Sequence, residues 1–550
     1  MPFRAALLVA FLAIAGALAP VPACAADKPN IVIVVVDGLG DLATPLGGAN
    51  AILPDPEYRA RLTPNLDRLA MLGATFTNAQ AVDTLEPPEV LSLGRDGDSV
   101  ALLLKAAGYT TAGTGLPKDA EEGWDEVRTY EQKAVKPHRI DGGPKNVELN
   151  LGWPIPTWGR LVPIDKRRKD DQSIEAWEGL TESLDDQLAA AWAAEQVRTK
   201  GADTPQQFVY VELLGPAVPY RGFVAPGVFF DRFPLDQIKV PPFDPGDLKD
   251  LPEGHWKKGH ASASLSDDDR LAVIQAYLAT VSAADYAIGK VVDAVEELNS
   301  DEVKSNDWTL VVVSKRGTPL GQKGVWAFSP WEAATNANLM IYAPQITTAE
   351  QRVTTPVGIG SVAPTVAVLA GVESPRPTGD NLMSLLPIKE HLPGVVALTT
   401  VGERALSVRS HRFRLVRYDD GGEELYDHDH DGEELFNLLH PSQAAKVKLF
   451  GMSETQVEAV KQWLSQRLDE ALAQRAKPGH PSAIDDLLPG DFNNDGRVDA
   501  ADSTVWRDNL GKEVPVGAAG DGDFDGRVEQ DDRPIWLDNY GRKREPAPVE

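Results

Sequence analysis

The chain has 550 residues, of which 42% are hydrophobic and 25% charged; this predicts two to four folded domains and excludes wholesale disorder. Its 82 acidic against 54 basic residues leave a net charge of -28, which argues against nucleic acid as a partner of the chain as a whole. The single cysteine, Cys24, excludes an intrachain disulfide and a cysteine zinc site.

Arg4, the apolar run Ala5 to Ala19 and the small residues Ala23-Cys24-Ala25 read as a secretory signal over 1–25, cleaved before Ala26. The expectation is an exported chain, whether extracellular, cell-surface or periplasmic. A lipoprotein signal that keeps an acylated Cys24 is the rival reading, and Pro22 fits it poorly. No later apolar run is expected to reach membrane-spanning length, so no transmembrane segment is expected in the mature chain.

The body opens with Ile31-Val32-Ile33-Val34-Val35-Val36, a β-branched run of the kind that is buried on both faces of a parallel sheet. Phe208 to Leu214, Leu310 to Val313 and Leu339 to Tyr342 repeat the type. Helical patterns separate them. Thr63-Pro64-Asn65 opens a helix carrying Leu66, Leu69 and Leu72. A second starts at Ser266 as N-cap, with Leu271, Ile274, Leu278, Val281, Ile288, Val292 and Val295 along one face. Alternating strands and helices predict an α/β domain over 27–390 with a mainly parallel, helix-covered sheet.

Between them, Trp153, Trp158 and Trp177 lie near the basic residues Arg160, Lys166, Arg167, Arg168 and Lys169. This is either a sugar-binding surface or, the favoured reading, a partly packed loop with a solvated charge run. His138, His255 and His260 show no ligand spacing and read as solvated loop histidines.

From 391 to 473 the texture changes. Ala405 to Arg409, Phe413 to Tyr418 and Glu424-Leu425-Tyr426 predict a small antiparallel sheet, with a turn at Gly421-Gly422 and a helix over Glu454 to Ala473. A linker over 474–488, with Lys477-Pro478-Gly479-His480-Pro481 at its centre, leads to a compact acidic segment at 489–542 and a charged tail at 543–550.

That acidic segment is a tandem. Asp491, Asn493, Asp495, Gly496, Asp499 and Asp502 occupy positions 1, 3, 5, 6, 9 and 12 of a calcium loop. Asp521, Asp523, Asp525, Gly526, Glu529 and Asp532 repeat the pattern, each 30 residues after its counterpart. Trp506 and Trp536, and Gly511 and Gly541, keep the same offset. Calcium needs six to eight oxygens, and position 7 supplies backbone carbonyls, here from Arg497 and Arg527. Two calcium ions are expected. Asp427-x-Asp429-x-Asp431-Gly432 resembles such a loop, but Leu435 and Leu438 fill its ninth and twelfth positions, so it reads as structural.

The tandem resembles a type I dockerin. The resemblance implies a cohesin-type module on a scaffold or surface protein as partner, with Ala500-Ala501 and Gln530-Asp531 at the recognition positions. Those two pairs differ, which weighs against equivalent binding in two orientations.

The body resembles the sulfatase family of the alkaline phosphatase superfamily. The segments that carry this are Lys28-Pro29-Asn30-Ile31 through Asp37-Gly38-Leu39-Gly40, Thr63 to Ala70, Ala107 to Thr111, Tyr277 to Asp285 and Gly421 to Asp427. Val240-Pro241-Pro242-Phe243 and Asp250-Leu251-Pro252 place it nearest the iduronate-2-sulfatase branch. The resemblance implies sulfuric ester hydrolysis on a sulfated polysaccharide. It also implies a formylglycine nucleophile, a calcium ion held by an acidic pair and by ligands after a late strand, and charge-neutralising lysines and histidines.

The positions where that resemblance puts the chemistry are changed. The modified residue falls on Thr84, the motif proline on Glu86 and the motif arginine on Pro88. The acidic pair is Asp37-Gly38, and the late-strand ligands are Lys315 and Arg316 within Ser314-Lys315-Arg316-Gly317. Gly321-Gln322-Lys323-Gly324, Phe328, Gly115-Leu116-Pro117-Lys118-Asp119 and Pro216-Ala217 stand at the remaining motifs. Two cations in place of two ligands would repel calcium, so none is expected in this pocket. The reading is a non-catalytic sulfatase-like domain with only the degenerate positions Asp37, Thr84, Lys315, Arg316 and Lys323. Lys315 and Arg316, with Lys323 as a third cation, hold a sulfate or carboxylate oxygen, as of a sulfated glycan, or Lys315 and Arg316 pair with Asp37 and nearby acids, the favoured reading. Alternatives are a hydrolase of sulfate or phosphate esters in which Thr84 attacks directly, and a purely structural scaffold.

Overall fold

The computed structural model describes residues 28–85, 90–93, 99–116, 123–129, 148–150, 160–162, 175–177, 185–200, 204–216, 223–241, 247–252, 267–300, 307–325, 328–372, 381–386, 391–475 and 488–543. The expected signal segment, Glu86 to Pro88, Lys118, Trp153, Trp158, Lys166 to Lys169, Ala217, the three histidines, Ser266, the Lys477–Pro481 linker and most of the tail lie outside them.

The strands are β1 (Asn30–Asp37), β2 (Ala74–Gln80), β3 (Thr110–Thr114), β4 (Glu126–Arg128), β5 (Glu148–Asn150), β6 (Arg160–Val162), β7 (Glu175–Trp177), β8 (Gln207–Pro216) and β9 (Val224–Pro226). Then follow β10 (Trp308–Ser314), β11 (Asn336–Tyr342), β12 (Gln351–Val353), β13 (Val357–Gly358), β14 (Ala397–Val401), β15 (Ala405–Arg409), β16 (Phe413–Tyr418) and β17 (Glu423–Asp427). The central sheet has the order β12-β2-β11-β10-β1-β8-β3-β4, with β13 also on β2.

The β-branched run of β1 lies at the centre of this sheet, and Ile31 to Val36 are fully buried. Side chains alternate across a strand. Ile31, Ile33 and Val35 therefore enter one apolar core, where Leu104 and Val366 come from the helices Val100–Ala106 and Val362–Leu369. Val32, Val34 and Val36 enter the other, beneath the helices Pro64–Leu72, Asp185–Thr199 and Asp267–Asn299. The sheet is mixed. β1 pairs in parallel with β8 and β10, whereas β11 runs antiparallel to both β10 and β2. A fully buried apolar run does not reveal its direction, because both faces are covered either way.

Every residue of the expected face on Asp267–Asn299 is buried except Leu271, which is partly so. Its span Arg270–Asn299 is long and apolar enough to cross a membrane, which corrects the expectation that no later run reaches that length. It is a core helix, with 83% of the apolar window buried inside the fold. Asp285 on this helix accepts the backbone N–H groups of Asn65 and Leu66, the orphan donors at the start of Pro64–Leu72. Thr63 makes no side-chain cap there.

The small sheet has the order β14-β15-β16-β17 and is antiparallel throughout. Its edge strand β14, absent from the sequence reading, ties it to the body: Thr84 N–H donates to the Thr400 carbonyl and Thr400 N–H to Val82. The helix Glu454–Arg475 covers its outer face through Val457, Val460, Leu464 and Leu468. In the Asp427–Gly432 loop, Asp431 accepts the N–H groups of Leu435 and Phe436, and Asp427 is held by Arg412 and His430.

Candidate functional site

The parallel register of β1 with β10 pairs Val36 with Ser314. The next residues, Asp37 on one strand and Lys315 and Arg316 on the other, therefore leave the carboxyl ends of adjacent central strands together. That is the crevice where open α/β sheets place their ligands. Lys315 N–H still donates to the Val36 carbonyl, so this backbone is fixed by the sheet itself.

Arg316 lies across Asp37. Its Nε donates to Oδ1 and its Nη2 to Oδ2, both at 2.8 Å. Its Nη1 donates to the Thr84 carbonyl, and Phe328 places its ring 4.6 Å from the guanidinium carbon. Only 5% of Arg316 is exposed. Ser314 braces the turn by accepting Leu39 N–H and donating to the Arg316 carbonyl. Gly38 adopts a positive φ of 81°, and its carbonyl accepts the hydroxyls of Tyr277 and Thr318.

Lys315 and Lys323 do not join Arg316. Lys315 reaches Glu212 on β8, which also accepts the Tyr210 hydroxyl. Lys323 binds Asp247 at 2.8 Å, with both side chains 1% exposed. Its ammonium rests on the rings of Trp331 and Tyr426. Beside it Glu424 accepts Trp331 Nε1 and the hydroxyls of Tyr418 and Tyr426. Burial pushes Asp247 up to about 7 despite Lys323, and it raises Glu424 as well. The three cations of the sequence reading are thus neutralised separately, each by its own carboxylate.

Thr84 is fully buried, and its hydroxyl donates to the Ser329 carbonyl at 3.2 Å. A cavity of about 80 Å³ shares Lys323 and Ser329 with this region; apolar side chains such as Leu42, Ile52 and Leu320 line it beside the acids Asp41, Glu332, Glu433 and Glu434. Burial and the charges of Glu332 and Glu433 push Asp41 up to about 7. Glu332, His428 and Glu434 bring ligand atoms within 4.8 Å of one another, but Arg409 and Arg414 already bind the two glutamates. Burial pushes Glu332 up; Arg409 and Arg414 outweigh it and hold the carboxyl below its ordinary range. This cluster is an ion-pair network that leaves no charge for a metal.

A family model described as Sulfatase matches residues 29–372. The chain belongs to the sulfatase family. It is 28% identical over 455 residues to a sulfatase of Formosa agariphila, covering 75% of this chain and 83% of the relative. It is 24% identical over 368 residues to mouse iduronate 2-sulfatase, covering 58% of this chain and 60% of the relative. Among solved structures, a protein in complex with its substrate D-glucosamine-2-N,6-O-disulfate superposes with a TM-score of 0.55 at 19% identity, covering 82% of this chain and 98% of the other. The sulfatase fold thus surrounds a site where the sequence named Asp37 and Phe328 but not the other partners. Glu212, Asp247 and Glu424 lie far in sequence from the cations they meet. The one available signal was general: a lysine or arginine in a buried segment requires an acid.

The two acidic loops of this sulfatase-family chain fold alike. Asp491 accepts the N–H groups of Asp495 and Gly496, and Asp521 those of Asp525 and Gly526. Asp502 accepts Asn493 and Asp499 N–H; Asp532 accepts Asp523 and Glu529 N–H. The helices Ala500–Asn509 and Asp532–Asn539 follow. The repeats cross over: Trp506 Nε1 donates to the Glu529 carbonyl and Trp536 Nε1 to the Asp499 carbonyl, both at 2.7 Å. The backbone bridges Arg497 with Lys543 and Glu513 with Arg527 obey the same symmetry. In the second loop Asp521, Asp523 and Asp525 crowd within 4.8 Å. Burial and the charges of Asp525, Asp532 and Asp521 push Asp523 up to about 9. A hard divalent cation relieves that repulsion, so the donor set fits calcium.

Proposed function

We propose that this sulfatase-family chain is a non-catalytic sulfatase, exported and attached to a cohesin-type partner through a calcium-loaded, dockerin-like module. The observation that carries the first half is the Arg316 clamp on Asp37. An arginine is always charged, and here both carboxylate oxygens are taken. Sulfate ester cleavage needs a nucleophile and concentrated positive charge. Thr84 offers neither an exposed hydroxyl nor a base among its described partners. Because Lys315 and Lys323 are also paired, a sulfated glycan held by these cations is the less favoured ligand.

The test is turnover of an aryl sulfate and an aryl phosphodiester with and without calcium, together with intact mass. No turnover and no aldehyde mass are expected. Activity lost in Thr84→Ala would overturn the reading. For the module, calcium-dependent capture by a cohesin panel is expected. Capture that persists in a chelator, or is absent throughout, would remove that half.

A further inference from the structure

We infer that Arg412, in the turn between β15 and β16, positions a ligand of the second calcium loop, so that this loop and the sulfatase-like body form one calcium-dependent unit. The inference rests on the calcium reading above. Arg412 donates from Nε and Nη2 to the two oxygens of Asp427 at 2.9 and 3.0 Å. That fixes the guanidinium plane and leaves Nη1 directed at Asp525 Oδ2, 3.2 Å away. The other oxygen of Asp525 accepts Arg527 N–H at 2.8 Å. Asp525 is position 5 of its loop, and both of its oxygens are thereby oriented.

Two further observations separate this loop from its twin. In the first loop Asn493, Asn494 and Asp495 are exposed; the matching Asp523, Phe524 and Asp525 are half-buried. The residue between positions 3 and 5 has a positive φ in both, 57° at Asn494 and 64° at Phe524. Asparagine tolerates that region and a bulky aromatic resists it. Phe524 is held there by packing on Trp463 of the helix Glu454–Arg475, with ring centroids 5.5 Å apart. Val516 joins the apolar cluster beneath the same helix. The sequence repeats; the environment does not.

Hydrogen-bonded support of a ligating carboxylate is worth roughly ten- to a hundredfold in metal affinity. Docking that orients Asp525 favours calcium, and by linkage calcium favours docking. The experiment is calcium titration of the full chain by calorimetry, with hydrogen exchange read over Thr455 to Gln466. Wild type is expected to bind two ions and to gain protection in that segment. Arg412→Gln is expected to lose about tenfold or more at one site, leave the other unchanged and lose the calcium-dependent protection. Phe524→Asn, which installs the first loop's residue and removes the anchoring ring, is expected to do the same should Arg412→Gln fold poorly. Two unchanged affinities in both variants would overturn the inference alone. A wild type that binds no calcium would overturn the calcium reading beneath it.

Discussion

Arg316 and Asp37, 279 residues apart in the chain, form a two-pronged ion pair at the carboxyl end of the central strands. Side-chain exposures of 6% for Arg316 and 15% for Asp37 make it a pair buried at the arginine and partly open at the carboxylate. Removing one partner strands the other charge, which costs about 3–5 kcal/mol, whereas replacing both with apolar groups is often near neutral. Arg316→Ala is therefore expected to lower the denaturant midpoint strongly, and Asp37→Leu combined with Arg316→Met to recover most of the loss. A double variant as unstable as the single one would show that the pair itself is not the source.

Glu424 gathers three neutral donors and faces Lys323 in a closed cage. In Glu424→Gln the amide nitrogen cannot accept, so at least one donor is left buried without a partner. The expected cost is about 1–3 kcal/mol. Lys323→Met, which removes the ammonium from the buried Asp247 carboxyl and drives it to its protonated form without a described partner, is expected to cost more. Thermal unfolding of the two variants gives the order, and the reverse order would contradict the cage as described.

The crossed tryptophans predict communication between the calcium repeats. Trp506 belongs to the first repeat and donates to a carbonyl in the second loop; Trp536 does the opposite. Asp521→Ala is expected to shift the indole N–H resonance of Trp506, and Asp491→Ala that of Trp536. A chelator is expected to broaden or shift both. Indole spectra in which each loop variant disturbs only its own repeat's tryptophan would refute the crossover.

His391 and His411 stack face to face with centroids 4.0 Å apart. Burial, then the charge of His411, lowers His391 to about 4; burial also lowers His411. A folded pKa below the unfolded value of about 6.5 means that the native state resists protonation. The stability present above pH 6.5 is lost as pH falls through the window from about 6.5 to about 4. The loss from His391 is at most about 3 kcal/mol, reduced by its partial exposure. Denaturant midpoints at pH 7 and pH 4.5 are expected to differ less in His391→Phe than in the wild type. Equal differences in the two proteins would exclude this stack as a source.

The β-branched runs located β1, β8, β10 and β11 because fully buried strands must be apolar on both faces. The 30-residue offset located both acidic loops because each turn of that kind needs oxygen side chains and a glycine at fixed spacing. That Thr84, Gly38, Lys315 and Arg316 stand where the family resemblance implies a cysteine or serine, an acid, an acid and a histidine was also legible, since residue identity is local information. What lay beyond the sequence was most of the long-range pairing. The sequence reading offered Asp37 as a partner for Lys315 and Arg316, and Arg316 takes it; the direction of β11, the edge strand β14, and the assignment of Lys315 to Glu212, Lys323 to Asp247 and Arg412 to Asp525 depend on which segments the sheet brings side by side. A buried charge announces that it needs a partner; only the folded chain, by desolvating some acids and not others, decides which partner it gets.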